Sequence, residues 1–135
     1  MKATLNEIAL SNAQVKLRED GIVQVNMDDN ATLNLKDMKE ILAAIKKVTK
    51  GTPHQVLKVC GTYTMIEDDA RQFVTTGEST KYSTAEALVC HSLAQKLIVS
   101  FHINKRKTVG IPTRLFTDLN EAENWLQELA KAGKN

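Results

Sequence analysis

The stretch "ALVCHSLAQKL", residues 87–97, passes directly from a predicted strand into the start of a predicted helix. The apolar run "EALVC", residues 86–90, is typical of a buried strand. Ser92 and Gln95 then have the spacing of a capping box, in which a hydroxyl and an amide three residues later satisfy the first N–H groups of a helix. A strand followed at once by a helix indicates an α/β fold.

The segments on both sides extend this alternation. The stretch "QVKLREDGIVQVNM", residues 14–27, alternates apolar and polar residues around Asp20-Gly21, which predicts a hairpin with a tight turn. An edge strand within residues 4–10 is expected to precede it. Further along, apolar residues at helical spacing predict helices, and short apolar runs predict strands. The predicted helices cover residues 35–50, 66–75, 93–105 and 121–131, and the later strands are "HQVLKVC" (54–60), "EALVC" (86–90) and "TRLFT" (113–117).

The order of these elements predicts the fold class. We expect an α/β fold with a mixed β-sheet, in which an N-terminal antiparallel hairpin is followed by alternating strands and helices, flanked by about four helices. Lys58 in the strand at residues 54–60 implies that one face or one end of that strand reaches water. No linker or repeat divides the chain, so we expect a single domain over residues 1–135.

Composition and charge limit the partners that we expect. The chain has 18 Lys and Arg against 16 Asp and Glu, and three Phe, two Tyr and one Trp. This small surplus and these few aromatic residues argue against a nucleic-acid partner. The longest nearly apolar run, "LIVSFHI" at residues 97–103, is too short to span a bilayer, and "MKATLNEIAL" at residues 1–10 lacks the apolar core of a signal peptide. We therefore expect a cytoplasmic protein without membrane insertion, in which both cysteines are reduced.

The adjacent residues Cys90, His91 and Ser92 combine a nucleophile, a base and a hydroxyl. Neighbours in a strand point to opposite faces, and a catalytic nucleophile and its base usually meet through the fold. A cysteine at the end of a buried strand behaves as a small hydrophobic residue. The histidines and cysteines also lack zinc-ligand spacing. We therefore expect a junction between a strand and a helix cap, with no catalytic residue, no metal and no cofactor.

A binding site would lie beyond the carboxyl ends of the parallel strands, close to the helix N-termini. Six residues at this strand-end rim are binding or regulatory candidates: Cys60, Thr62, Thr64, His91, Ser92 and Asp118. Helix capping is the alternative for three of them. Ser92, Thr64 in "TMIE" (64–67) and Asp118 in "DLNE" (118–121) all have cap spacing.

The C-terminal stretch, residues 92–129, resembles a small bacterial family of STAS-like, anti-sigma-factor-antagonist-like domains. The resemblance is carried by "SLAQ" opening an apolar helix and by "PTRLFTD" followed by "EAENWL". It implies a mixed sheet flanked by helices, and a domain that binds a partner kinase or anti-sigma protein. Such domains are switched by phosphorylation of a Ser or Thr at a strand-to-helix turn, in an Asp-Ser-Ser-Gly-like motif. The corresponding "VCGTYTMIEDD", residues 59–69, departs from that motif, so no phosphosite is carried over, and Thr62 and Thr64 are candidates by position alone.

These observations lead to two main functional hypotheses. The first is a non-enzymatic protein-interaction and regulatory module that is STAS-like. The second is a small-molecule or lipid-binding module that uses the strand-end rim. A thiol-dependent enzyme using Cys60 or Cys90 is a third and less favoured alternative. The predicted helix at residues 93–105 is apolar on most sides, which also suggests a homodimer.

Overall fold

The computed structural model describes residues 6–92, 95–96 and 110–132. Its strands, in chain order, are β1 (Glu7–Ala9), β2 (Ala13–Leu17), β3 (Val23–Met27), β4 (Thr32–Leu33), β5 (His54–Val59), β6 (Met65–Ile66), β7 (Ser83–Val89) and β8 (Thr113–Phe116). Its α-helices are α1 (Leu35–Thr49), α2 (Asp68–Phe73) and α3 (Leu119–Ala132), and a 3₁₀ helix covers Gly77–Thr80.

The main sheet has the strand order β1-β2-β3-β5-β7-β8. Strands β1, β2 and β3 pair antiparallel, and β3, β5, β7 and β8 pair parallel. The turn between β2 and β3 forms where Gly21 adopts a φ of 89° and Asp20 Oδ1 accepts the Ile22 N–H at 3.2 Å. The predicted fold class, the hairpin and the N-terminal edge strand are therefore confirmed.

Helix α1 covers one face of this sheet. It begins with a complete capping box, because the Asn34 side chain accepts the Asp37 N–H and the Asp37 carboxylate accepts the Asn34 N–H, both at 2.9 Å. The helix buries Met38, Ile41 and Ile45 in the same apolar cluster as residues of β2, β3 and β5. It ends where Lys50, with a φ of 56°, precedes a glycine with positive φ.

Helix α3 covers the opposite face of the later strands. Ala122 and Leu126 are buried with Leu57 and Phe116 in a second apolar cluster. Because alternate residues of a strand point to opposite faces, β5 contributes to both clusters. The side-chain amide of Gln55 also donates to the Leu126 carbonyl at 2.6 Å, which ties β5 to α3.

The structure differs from the sequence prediction between the hairpin and the middle of the chain. Residues 32–33 and 65–66 pair as the short parallel strands β4 and β6, which the sequence pattern did not indicate. The Met65 N–H donates to the Ala31 carbonyl at 2.9 Å, and the Glu67 N–H donates to the Leu33 carbonyl at 2.8 Å. These bonds hold the chain extended, so the helix predicted over residues 66–75 is confined to Asp68–Phe73. The helix predicted at residues 93–105 lies outside the described residues, apart from Gln95 and Lys96.

Lys58 lies in the centre of the sheet and does not reach water as expected. It is 6% exposed, and its ammonium group lies 3.4 Å from Oε1 of Glu86, which is 0% exposed. The Ser83 hydroxyl donates to Glu86 Oε2 at 2.8 Å. The expectation was wrong because β5 lies between β3 and β7, so that Lys58 is not at an edge, and because side chains of α1, α2 and the 3₁₀ helix surround it. The charge is accommodated by an ion pair with the neighbouring strand.

Replacing Lys58 with Ala should lower the free energy of unfolding by about 3 kcal/mol, because its buried ion pair with Glu86 is then lost. Lys16→Ala, on the exposed face of β2, is the matched control and should change the free energy by less than about 0.5 kcal/mol. Urea denaturation of both variants measures the difference. Equal unfolding midpoints for the two variants would show that the ion pair does not matter for stability.

Candidate functional site at the strand-end rim

The carboxyl ends of β5 and β7 lie side by side, which brings most of the predicted site together. Val59 is paired with Val89, and the Cys60 N–H continues the ladder by donating to the Val89 carbonyl at 3.0 Å. Cys60 and Cys90 follow these residues, and both are buried free cysteines. Their Sγ atoms are 3.7 Å apart. The rim segments that begin at these two cysteines are therefore joined at their base.

The two thiols differ in electrostatic environment. The pKa of Cys60 is lowered, above all by its hydrogen bond with the Cys90 thiol and also by the Lys58 charge, although burial opposes this. The pKa of Cys90 is raised by the same hydrogen bond and by burial. The Lys58 charge, two residues before Cys60 in the chain, favours a thiolate on Cys60 with Cys90 as the S–H donor.

Gln95 connects the two rim segments above the cysteines. Its Nε2 donates to the carbonyls of Gly61 at 3.2 Å and Thr64 at 2.9 Å, and its Oε1 accepts the His91 N–H at 3.0 Å. The Gln95 N–H donates to the Ser92 hydroxyl at 3.1 Å, which confirms the predicted cap at Ser92. The sequence identified Gln95 only as the third residue of that cap. It did not indicate that its side chain bridges residues about thirty positions apart.

Thr64 does not cap a helix as predicted. Its side chain is 2% exposed and its hydroxyl donates to the Asp28 carbonyl at 2.9 Å. Helix α2 begins after Glu67, which makes no side-chain cap bond, because the intervening residues form β6. Thr64 is therefore an internal support of the rim. Its neighbour Thr62 is exposed, and its N–H donates to Asp29 Oδ1 at 2.8 Å.

Gly61 packs against the segment that follows β3, which contacts the loop after β5. A Cβ atom at this position would lie 2.6 Å from Asp29 Oδ1 and 2.7 Å from both the Asp29 nitrogen and the Met27 carbonyl. The Asn30 N–H also donates to the Thr62 carbonyl at 2.7 Å. The segment that follows β3 thus holds the loop after β5 in place, and only glycine permits this close approach.

Tyr63 is the most prominent side chain of the rim. It is 74% exposed and its φ is 60°, a left-handed conformation that costs a non-glycine residue about 1–2 kcal/mol. Met65 is also an exposed large hydrophobic residue. The bonds from the Asp29 and Gln95 side chains fix the loop on both sides of Tyr63. The rim therefore presents an apolar ring to solvent on a rigid support.

The candidate Asp118 lies at the end of the next parallel strand, β8. Asp118 follows β8 and caps α3, because its Oδ2 accepts the Glu121 N–H at 2.9 Å, as the cap spacing predicted. The Cys90 N–H donates to the Phe116 carbonyl at 3.0 Å, so that the rim continues towards β8. Of the six candidates, the exposed ones are Thr62, His91, Ser92 and Asp118, and the buried ones are Cys60 and Thr64.

A separate groove of about 750 Å³ lies between α1 and the segment formed by α2 and the 3₁₀ helix. Its apolar lining includes Leu42, Phe73 and Tyr82, and lysines such as Lys39 and Lys46 line it on the α1 side. No rim candidate lines this groove. The sequence did not indicate it, because the groove depends on where α2 ends and the 3₁₀ helix begins.

In residues 6–92, 95–96 and 110–132, no group of three or more His, Cys, Asp or Glu side chains is arranged to hold a metal ion. No helix within these same ranges has the length and apolar character needed to cross a membrane.

The fold and the rim define a mixed α/β domain with helices on both faces of the sheet and a polar rim at the ends of its parallel strands. A family model described as "Domain of unknown function (DUF7793)" matches residues 15–130, and the chain belongs to this family. Neither the curated proteins nor the solved structures gave a match.

Gly61→Ala should lower the free energy of unfolding by about 1–3 kcal/mol, because the added Cβ overlaps backbone atoms that cannot move without shifting the loop after β3. Gly77→Ala is the matched control, because its Cβ would enter open space and its φ is not positive. That variant should be neutral or slightly stabilised. Thermal and urea unfolding measure both, and a neutral Gly61→Ala would contradict the close packing described here.

Proposed function

We propose that this chain is a non-enzymatic, STAS-like protein-interaction and regulatory domain of the bacterial cytoplasm, which binds a protein partner at the strand-end rim. The observation that carries this proposal is the exposed Tyr63 ring on a left-handed backbone. Strained residues persist where the surrounding structure fixes them, and they are concentrated at functional positions.

Tyrosine is well suited to this role. It is enriched among the residues that contribute most to binding energy at protein interfaces. The rim around Tyr63 is held by hydrogen bonds from Asp29, Asn30 and Gln95, so little conformational entropy would be lost when a partner binds. Met65, two residues further along the chain, is a second exposed large hydrophobic residue.

The regulatory and STAS-like part of the proposal has two sources of support. The sheet, with an antiparallel hairpin followed by parallel strands, has the form that the resemblance implies. The rim also lies at a turn after a central strand, and the resembling domains are switched at a strand-to-helix turn. Thr62 is the exposed hydroxyl of this turn, whereas Thr64 is buried.

The non-enzymatic part rests on the positions of the residues with catalytic chemistry. Cys90 is buried in the apolar cluster under α1, whereas the adjacent His91 is exposed. The Ser92 hydroxyl accepts a hydrogen bond from the main chain of the following turn. The three residues therefore face different surroundings. The homodimer remains a prediction, because the apolar segment at residues 93–105 lies outside the described residues apart from Gln95 and Lys96.

Tyr63→Gly separates binding from folding. Glycine adopts a φ of 60° without strain, so this variant should keep or raise the free energy of unfolding by up to about 1 kcal/mol. If the ring is a central binding residue, the same variant should lose about tenfold or more in affinity for a partner captured from native lysate. Calorimetric titration of the purified partner measures the affinity.

Two variants serve as controls for this experiment. Tyr63→Phe keeps the ring and should retain most of the affinity, and Lys16→Ala on the exposed face of β2 should have no effect. A Tyr63→Gly variant that binds the partner as tightly as the unmodified chain would refute rim binding.

The second candidate function is binding of a small molecule or a lipid. The groove beside α1 is a better site for such a ligand than the strand-end rim. The lining is largely apolar, and its three lysines (Lys39, Lys46 and Lys81) outnumber its two carboxylates (Asp69 and Glu78), which suits a fatty acid or another anionic amphiphile.

If this alternative holds, a long-chain fatty acid should raise the melting temperature by several degrees, because it stabilises only the folded state. Ala43→Trp, at an exposed position that lines the groove, should abolish the shift by occupying the groove. Tyr63→Gly should leave the shift unchanged. Thermal-shift assays with a fatty acid series test this, and the absence of any shift would leave rim binding as the only candidate.

A further inference from the structure

We propose that Cys60 and Cys90 form a reversible intramolecular disulfide when the protein meets hydrogen peroxide, and that this bond regulates the strand-end rim. The regulatory half rests on the proposed function, whereas the formation of the bond does not. The chain contains two cysteines, so this pairing is the only intramolecular disulfide it can form.

The geometry is close to that of a disulfide before any bond has formed. The sulfurs are 3.7 Å apart and need to approach by about 1.7 Å to reach the bonded distance. The two residues extend the register of Val59 and Val89 on adjacent parallel strands. Neighbouring strands lie about 4.8 Å apart, which is within the range of Cα separations that a disulfide spans. Rotation of the two side chains can therefore bring the sulfurs together while the sheet stays paired.

The chemistry follows from the asymmetry of the pair. Cys60 ionises first and its thiolate attacks one oxygen of the peroxide, so that the O–O bond breaks and the departing hydroxide takes up the proton that Cys60 released. The Cys90 sulfur then attacks the sulfenic acid on Cys60. The S–O bond breaks, and the second hydroxide leaves as water with the Cys90 proton. Two thiols are oxidised and one peroxide is reduced to two molecules of water.

The bond would act on the rim because of where the cysteines lie in the chain. Gly61 follows Cys60 directly and His91 follows Cys90, and both are already held by Gln95. A covalent link at their base would limit how far the two loops, one of which carries Tyr63, can move apart. In a reducing cytoplasm such a bond is transient, as expected of a redox-sensing pair.

The test uses the full chain, treated with hydrogen peroxide under native conditions, quenched, unfolded and alkylated with N-ethylmaleimide. Intact mass should show a monomer lighter by about 2 Da that takes up no maleimide, and dithiothreitol should restore two reactive thiols. The melting temperature of the oxidised chain should rise by roughly 5 °C, because the cross-link restricts the unfolded chain. A chain that still takes up two maleimides, or that loses its thiols only in cross-linked dimers, would overturn the disulfide.

Single variants identify the order of events. Cys90→Ser should stop at a sulfenic acid on Cys60 that dimedone traps, and Cys60→Ser should give little dimedone adduct. If these variants fail to fold, the mass measurement on the unmodified chain still decides. Equal binding of the captured partner by the oxidised and reduced chains would overturn the regulatory half. Retention of the partner by Tyr63→Gly would instead overturn rim binding alone and leave the disulfide standing.

Discussion

The parallel pairing of β5 with β7 is the constraint on which the rim depends. Val59 pairs with Val89, so both strands end at the same edge of the sheet. The cysteines that follow them, Cys60 and Cys90, are therefore in contact. A slip of one residue would turn one of the two thiols to the opposite face of the sheet and would move the loop after β5 away from Gln95. The register is fixed by side chains on both faces, since Leu57 and Val89 pack under α3 while Val56 packs under α1.

The Lys58–Glu86 pair adds a polar link on the α1 face of the same two strands. Buried ion pairs contribute little net stability compared with apolar residues of similar size, but a wrong arrangement that separates the charges is costly. The pair therefore favours one strand arrangement over others. It also places a positive charge two residues before Cys60, and this charge adds to the lowering of that thiol's pKa by its hydrogen bond with Cys90. One interaction thus influences both the fold and the chemistry of the rim.

Much of the fold could be predicted from sequence because it depends on local signals. The hairpin follows from Asp20-Gly21, and the caps of α1 and α3 follow from side chains three residues apart. Strands β4 and β6 could not be predicted. Each has only two residues, which is too short to show an alternating pattern, and their pairing joins distant parts of the chain.

The site was predictable only in part for the same reason. The candidate residues do lie at the strand ends, but the surroundings of Lys58 and Thr64 were misjudged because their burial depends on neighbouring segments. The contact between the cysteines could have been predicted from the sequence. Two successive predicted strands, "HQVLKVC" (54–60) and "EALVC" (86–90), both end in Cys. Nothing local marks Gln95 as a bridge.

The brevity of β1 has a consequence for how the molecule behaves at high concentration. This outermost strand has three residues and offers few free main-chain groups along its outer side. Long, flat outer strands invite a foreign strand to add on and begin fibrous growth. Among the residues that the structure describes, the hairpin side of the sheet therefore gives an incoming chain a poor template for strand addition.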